Sequence, residues 1–600
     1  MTQHPVNNIV AADGATSNQT LYGSDRMAEL LRGLGYEYAF INPGSSFRGL
    51  HDSIVNVLGN TAPELVLTTH EMIAVGMAHG YAKAKRQSAL VILHNLVGLM
   101  NGSMAIYNAF CDQTPLLILG GSGPADPAER RFIDWAHSAN AQSDLIRNYV
   151  KWTDEPPTLE AIIDGILLAR KKGLTAPQGP SYLSIDAALQ EVPIDAIDLP
   201  ELSSRVIDPP AAPHPSPAQL DELVELLVSS KMPLIFAGRL GLDPETTEPL
   251  KRLVELSGAA YHDDRNIVCF PTNHPQNLNG DKAIAKDADL LICFDCQDVN
   301  LLSGQYQPKR SNIAGGAARE DRATIVDVSM NAYFGNSWTR FGGPDARADL
   351  VVSADPLATI RALGDRLAER LTATPDRMEA IEARRQQLAD RSAALREARQ
   401  ARYAKRWEDQ HISLPGITGE VYEAIKAEDW TLVVRNHRSW QDGIFEFTGA
   451  GQYLGGDGGG GVGYGPAAAA GAALALKGTG KIPVAMLGDG DFVMASGALW
   501  SAAAHKAPLL LVILNNRTWG NDELHQREVA HQRNRPVENA HIGQRMEGPD
   551  IDLTNLARSY GVWSVGPISD PAELSKHLNE AVSIVRDGGI AVVEVLTALD

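Results

Sequence analysis

KIPVAMLGDGDFVM, Lys481–Met494, sets an apolar run of strand length against a Gly-Asp-Gly turn followed by a second acid, Asp491. After the helix-like stretch MASGALWSAAAHK comes a second apolar run, APLLLVILNN (Ala507–Asn516), which ends in two asparagines. The order is strand, helix, strand, and a right-handed crossover makes such strands near neighbours in a parallel sheet. Asp489 and Asn516 then sit at adjacent strand ends. Two side-chain oxygens and a backbone carbonyl make half of an octahedral shell, which suits Mg²⁺ drawing its other ligands from phosphate and water. Gly488 and Gly490 let backbone approach a phosphate closely and leave N–H groups free to face it. A tight strand-to-helix turn that merely carries Asp is the alternative, and the matching "NN" strand weighs against it.

The same alternation runs through the whole chain. A first block holds YEYAFIN (Tyr36–Asn42), ELVLTT (Glu64–Thr69), SALVILHN (Ser88–Asn95), PLLILGG (Pro115–Gly121) and PSYLSID (Pro180–Asp186), separated by helical patterns. This is the βαβ rhythm of a parallel sheet. The Pro-rich VIDPPAAPHPSPAQ (Val206–Gln219) reads as a linker. A second block holds PLIFAG, ADLLICFD and ATIVDVS, and a charged stretch without Gly or Pro, Arg377–Asp409, reads as a solvated connecting helix. The third block opens near Ile412. The expected architecture is α/β, with three doubly wound parallel-sheet domains at residues 19–195, 212–372 and 412–600, and a connecting helix over 373–411.

Bulk properties agree with that division and exclude several functions. A chain of 600 residues is too long for one core. Hydrophobic residues make up 44% and charged residues 21%, an ordinary globular balance. A net charge of -20 repels phosphate backbones and anionic lipid, so neither nucleic acid nor a membrane surface is expected as partner. No apolar stretch reaches the roughly 18–20 residues needed to span a bilayer. The first twenty residues lack the pattern of a signal peptide. The four cysteines fit a reducing compartment, and a cytoplasmic location is expected. Cys293 and Cys296 form a C-x-x-C with no second pair, which reads as strand packing.

Ligands of open parallel sheets gather at the carboxyl ends of strands. In the first block those ends deliver Ser45 (after Asn42-Pro43-Gly44), Glu71 (after His70) and His94. Taken singly, Ser45 reads as a helix N-cap, Glu71 as a first-turn acid, and His94 as a core or loop histidine. A hydroxyl, a carboxylate and an imidazole converging on one edge point instead to catalysis.

With these motifs the chain resembles the thiamine-diphosphate-dependent enzymes that act on 2-oxo acids, over pyrimidine-binding, central and diphosphate-binding domains in that order. GDG and NN match the family's cofactor motif. NPGS (Asn42–Ser45), LHNLVGLMNGSMAI around His94, FPTNHP (Phe270–Pro275) and ALWSAA…VILNNRTWG are most similar to benzoylformate decarboxylases. The His70-Glu71 pair of THEMIAVGMAHGYAKA is more similar to acetolactate synthases. The resemblance implies thiamine diphosphate and Mg²⁺ as cofactors. Glu71 would hydrogen-bond the aminopyrimidine from a buried, water-poor setting. Asp489, Asn516 and the Thr518 carbonyl would hold Mg²⁺, with Gly490 and Asp491 adding contacts to the diphosphate. In GGGGVGYG (Gly458–Gly465), the Gly460 carbonyl would accept from the cofactor's amino group and Val462 would wedge it into its bent shape. Ser45 and His94 would face the substrate, with His94 relaying protons.

The implied activity is non-oxidative decarboxylation of a 2-oxo acid through a carbanion and enamine on the cofactor. The alternative is a carboligase or acyloin lyase, which adds an aldehyde acceptor. A homodimer or homotetramer with active sites between subunits is implied as well. Departures from the family bear on the substrate. Asn300 stands where benzoylformate decarboxylases carry a second histidine. RNHRSWQDG (Arg435–Gly443) places Ser439 by the diphosphate, with His437, Arg438 and Trp440 bringing charge and bulk. With Arg48, these suggest a larger or more acidic substrate than benzoylformate. The adjacent histidine pair of pyruvate decarboxylases is absent.

Overall fold

The computed structural model describes residues 20–194, 197–200, 208–263, 267–281, 283–303, 323–334, 347–405, 412–435, 444–456 and 458–598. The chain divides into two compact units, one made of residues 1–210, 457–569 and 576–600, the other of 211–456 and 570–575. The first and third sequence blocks therefore share a unit. The contact division falls at Gly456/Asp457, and the segment before it bonds to the central block: Thr272 N–H donates to the Phe447 carbonyl at 3.0 Å, and Gly451 N–H to that of Gly241 at 2.7 Å.

The first unit contains a six-stranded, all-parallel sheet in the spatial order Glu64–Leu67, Tyr38–Ile41, Ala89–Leu93, Leu116–Ser122, Ser181–Asp186, Trp152–Asp154. The chain enters at Tyr38–Ile41, adds Glu64–Leu67 on one side and then crosses to Ala89–Leu93 on the other. Tyr38–Ile41 and Ala89–Leu93 thus flank a topological switch point, where the loops after neighbouring strands diverge and leave a crevice. A second sheet in the same unit carries Ile482–Gly488, Leu509–Asn515, Ile590–Leu596 and Trp563–Ile568 in that order, all parallel, with Gly488 paired to Leu514. Asp489 and Asn516 follow directly on these adjacent strands.

Two helices bring the sheets' working ends together. Helix Glu71–Lys85 packs on helix Tyr464–Leu476 with backbone nearly touching backbone. A methyl group on Gly80 would lie 2.0 Å from the Ala468 carbonyl oxygen, and one on Gly471 would lie 1.8 Å from that of Met77. The long run of Ala and Gly in YGPAAAAGAALAL therefore serves close approach. Gly80→Leu is expected to cost about 3 kcal/mol, the upper end for overpacking. Gly364→Ala, inside helix Pro356–Thr372, whose added methyl would meet nothing nearer than 3.8 Å, is expected instead to raise the urea midpoint slightly, by about 0.5–1 kcal/mol of helix propensity.

The second unit is built on a parallel sheet in the order Ala260–Asp263, Pro233–Ala237, Leu290–Phe294, Thr324–Val328, Leu350–Val352. Ile235 and Ala237 enter one core and Leu234 and Phe236 the other, so both faces are covered. Cys293 and Cys296 are buried, unbridged thiols in the second of these cores. The charged stretch forms helix Asp376–Ala404, but it is less solvated than its composition suggests. Arg384 is buried and donates to the carbonyls of Ser230, Lys231, Ser257 and Gly258, while Arg391 pairs with Asp281 and Asp287. Among the described residues no helix is long and apolar enough to cross a membrane.

Candidate active site

Glu71 opens its helix at the end of the Glu64–Leu67 strand and loop, and is 5% exposed. His70 is the N-cap, its Nδ1 accepting from Met72 N–H at 3.0 Å. Asn101 Nδ2 donates to Glu71 Oε2 at 3.1 Å. Gly98 keeps the space beside the other oxygen open, since a methyl there would lie 3.3 Å from Oε1.

His94 ends the next strand but one and caps helix Asn95–Cys111. Gly44 is required by this histidine, because a methyl at Gly44 would lie 2.1 Å from the ring. The hydroxyl set against His94 is Ser46, with Oγ 2.9 Å from Nδ1. Ser46 is buried, its Oγ also accepts from Asn95 N–H at 3.3 Å, and Gln190 Nε2 holds its carbonyl at 2.7 Å. Ser45, one residue earlier, is exposed, and its carbonyl accepts from Arg131 Nη1 at 2.9 Å. On the far side, His94 Nε2 lies 3.2 Å from His137 Nδ1. Burial, and then the neighbouring His137 and Arg131 charges, hold the His94 imidazole below its ordinary pKa, against the pull of Glu71 and Asp134. Ser46 Oγ and His94 Nδ1 form one hydrogen bond and His94 Nε2 and His137 Nδ1 another, with the direction of each set by the ring tautomers. Arg48 is exposed and paired with Glu191 at 2.5 Å, so its charge is neutralised there.

The glycine run approaches the Glu71 helix. A methyl on Gly463 would lie 2.9 Å from Met72 Cε. Gly460 has φ +67° with no atom within 4 Å of where a Cβ would be, and Val462 is 43% exposed. Asn108 grips the run at Gly461, donating to its carbonyl at 3.4 Å and accepting from its N–H at 3.3 Å. Behind it lies an ionic cluster: Asp112 pairs with Lys83 and His79, and Lys83 Nζ donates to the Tyr464 hydroxyl at 3.2 Å. Burial alone would raise the Asp112 pKa, but Lys83 and His79 outweigh it and hold it low.

Asp489 is 4% exposed at the start of helix Asp489–Ala495. Its Oδ1 accepts from Gly490 N–H at 3.0 Å, while the buried Oδ2 has no hydrogen-bond partner among the described residues. Burial pushes the carboxyl up to about 6, against backbone N–H donors that lower it. Asn516 Oδ1 accepts from Thr518 N–H at 3.2 Å, and Thr518 is buried. Asp491 turns to the glycine run, accepting from Gly463 N–H at 2.6 Å and Gly465 N–H at 3.4 Å.

An orphaned buried carboxylate oxygen, an adjacent amide and open space over Gly460 and Val462 fit a metal-bound diphosphate cofactor. Asn300 is buried on helix Val299–Ser303 of the second unit. His437, Arg438, Ser439 and Trp440 lie outside the described residues. Sequence reasoning missed Ser46, Asn101, Asn108 and His137. Asn101 lies within LHNLVGLMNGSMAI and Ser46 directly follows NPGS, while Asn108 and His137 fall outside the motifs.

Residues 21–144 match the family model for the thiamine pyrophosphate enzyme, N-terminal TPP binding domain, and residues 434–595 that for its C-terminal TPP binding domain. A benzoylformate decarboxylase of Pseudomonas aeruginosa is 27% identical over 558 residues, covering 89% of this chain and 92% of its own. A probable acetolactate synthase large subunit of Methanocaldococcus jannaschii is 24% identical over 591 residues, covering 93% and 90%. The thiamine diphosphate-dependent 4-hydroxybenzoylformate decarboxylase of Rhodococcus jostii RHA1 shares the fold, with TM-score 0.71 and 21% identity over 97% of this chain and 100% of that one.

Proposed function

Since the chain belongs to the thiamine pyrophosphate enzymes, we propose that it catalyses the Mg²⁺-dependent, non-oxidative decarboxylation of a 2-oxo acid. Asp489, Asn516 and the Thr518 carbonyl would hold Mg²⁺ on the diphosphate, with Gly490 and Asp491 beside it. Gly460 and Val462 would seat the rings. Once bound, the cofactor supplies the electron sink that accepts the pair left as carbon dioxide departs.

The chain's own residues do the rest. Glu71 holds and exchanges a proton at the pyrimidine ring nitrogen, oriented by Asn101. Ser46 and His94 receive the substrate carboxylate, with Ser45 at the rim. His94 Nε2 then delivers a proton to the carbon that lost carbon dioxide, and His137 reloads it. Asn300, His437 and Arg438 are proposed to select the substrate.

The observation that carries this reading is the hydrogen-bonded series Ser46–His94–His137 beside the buried Glu71. A resident proton donor favours release of an aldehyde over capture of a second carbonyl. The likeness to acetolactate synthases keeps ligation as the second reading. A homodimer or homotetramer in the cytoplasm is part of the proposal. Exposed Val97, Met100 and Met104, three and four residues apart on one helix face, supply apolar surface for assembly.

A panel of 2-oxo acids, with and without acceptor aldehydes and assayed for carbon dioxide, aldehyde and hydroxyketone, tests the reading. Aldehyde as the main product supports it, and hydroxyketone as the main product at low acceptor concentration replaces it with ligation. His94→Ala is expected to slow aldehyde formation by about 10²-fold, shift the remaining product toward hydroxyketone, and leave cofactor affinity near the parent's. Parent kinetics in that variant would make His94 structural.

A further inference from the structure

Behind the loop that follows the Asn516 strand lies a cluster to which neither the motifs nor the proposed mechanism gives a role. Glu523, on helix Gly520–Gln532, has a fully buried side chain yet four donors. Oε2 accepts from the Thr518 hydroxyl at 2.9 Å and from Arg545 Nε at 3.0 Å. Oε1 accepts from Arg545 Nη2 at 3.0 Å and from Arg527 Nη2 at 2.6 Å. The carboxylate's acceptor sites are thus filled by two guanidinium groups and one hydroxyl.

Arg545 belongs to a segment that grips the loop by its backbone. Thr518 and Arg545 form an antiparallel bridge. Trp519 N–H donates to the Gln544 carbonyl at 3.0 Å, and Met546 N–H to that of Arg517 at 2.8 Å. Within the loop, Arg517 has φ +56°, a left-handed conformation that bulky side chains rarely adopt. Asn515 Oδ1 accepts from Arg517 N–H at 3.0 Å and holds that turn. At the far end Trp519 lies against the Gly-Asp-Gly turn, where a methyl on Gly490 would fall 2.7 Å from its ring.

We propose that the Glu523–Arg545 pair is a positioning clamp that presets the Thr518 carbonyl and the Trp519 ring, so that the Mg²⁺ site forms without ordering its loop. The proposal rests on the reading that Asp489, Asn516 and Thr518 bind the metal. Outer groups that orient a metal's ligands commonly change affinity by about 10–100-fold. Only the Glu523 end of the pair is buried, Arg545 being 34% exposed, and replacing a buried charge together with its partner by apolar residues of similar volume commonly costs the fold little. A clamp whose purpose is geometry therefore predicts a separation of effects: apolar replacement preserves the fold and loses the metal.

The test strips the full-length protein of metal with EDTA. It then titrates Mg²⁺ at saturating thiamine diphosphate, following heat and tryptophan fluorescence. Glu523→Gln, Arg545→Met and the double Glu523→Met/Arg545→Met variants are expected to raise the apparent Mg²⁺ dissociation constant by about 10–100-fold. Arg545→Lys should recover only part, lacking the two-pronged geometry. The double variant should keep the parent's thermal midpoint without cofactor, and the exposed-pair control Arg366→Met should keep both values. Variants with the parent's Mg²⁺ constant, whether or not the midpoint falls, would overturn the clamp. Asp489→Ala separates the two claims. If it too keeps the parent's constant, the metal assignment fails; if it alone loses Mg²⁺, only the clamp fails.

Discussion

Glu71→Gln is expected to lower decarboxylation by about 10²–10⁴-fold, while thiamine diphosphate binds nearly as in the parent. The amide keeps the volume of the carboxyl and its place on the Glu71–Lys85 helix, so Asn101 and Gly98 keep a neighbour of the same shape. What is lost is the group proposed to exchange a proton with the pyrimidine ring. Because the side chain is 5% exposed, bulk water cannot readily replace it. The binding groups on the Asp489 side are untouched. Comparing single-turnover carbon dioxide release with cofactor affinity measures the split. Near-parent turnover would remove Glu71 from the chemistry. Loss of binding in step with activity would make it a cofactor anchor.

Asp489→Asn separates stability from function in the opposite direction. The Asp489 carboxylate is buried, with one oxygen lacking a hydrogen-bond partner among the described residues. Such a group destabilises the fold that holds it. The isosteric amide removes the charge, and the cofactor-free variant is expected to be more stable than the parent by about 1–2 kcal/mol. Mg²⁺-dependent binding of thiamine diphosphate should weaken by more than about 10²-fold, since a neutral amide replaces the proposed anionic ligand. Urea denaturation without cofactor and calorimetry with it give the two numbers. A variant that is destabilised yet still binds Mg²⁺ normally would show that Asp489 is a structural turn residue.

These two residues were legible because their signals are local. An apolar run of strand length with a polar residue at or just past its end places that residue at a sheet edge whatever the fold's details. Asp489, Asn516, Glu71 and His94 all follow this rule. The partners that tune them do not. His137 reaches His94 from a four-residue helical turn in a loop, and Asn101 reaches Glu71 from one and a half turns into the next helix. No periodicity encodes such meetings. Ser45 and Ser46 differ by one step in a tight 3₁₀ turn, Ser45–Phe47, and only the backbone path decides which hydroxyl faces inward. The charged helix misleads in another way, because Arg384 and Arg391 look solvated by type yet dock through carbonyls and aspartates far away in sequence.

The central claim is that this chain removes carbon dioxide from a 2-oxo acid with thiamine diphosphate held at the Glu71 and Asp489 site. The direct measurement is carbon dioxide release by metal- and cofactor-stripped protein from benzoylformate and larger or more acidic 2-oxo acids, with thiamine diphosphate and Mg²⁺ added back singly and together. Release from at least one substrate only when both are present, abolished in Asp489→Asn, is the predicted result. Release without thiamine diphosphate, or no release from any 2-oxo acid by protein shown to have bound both, would contradict it.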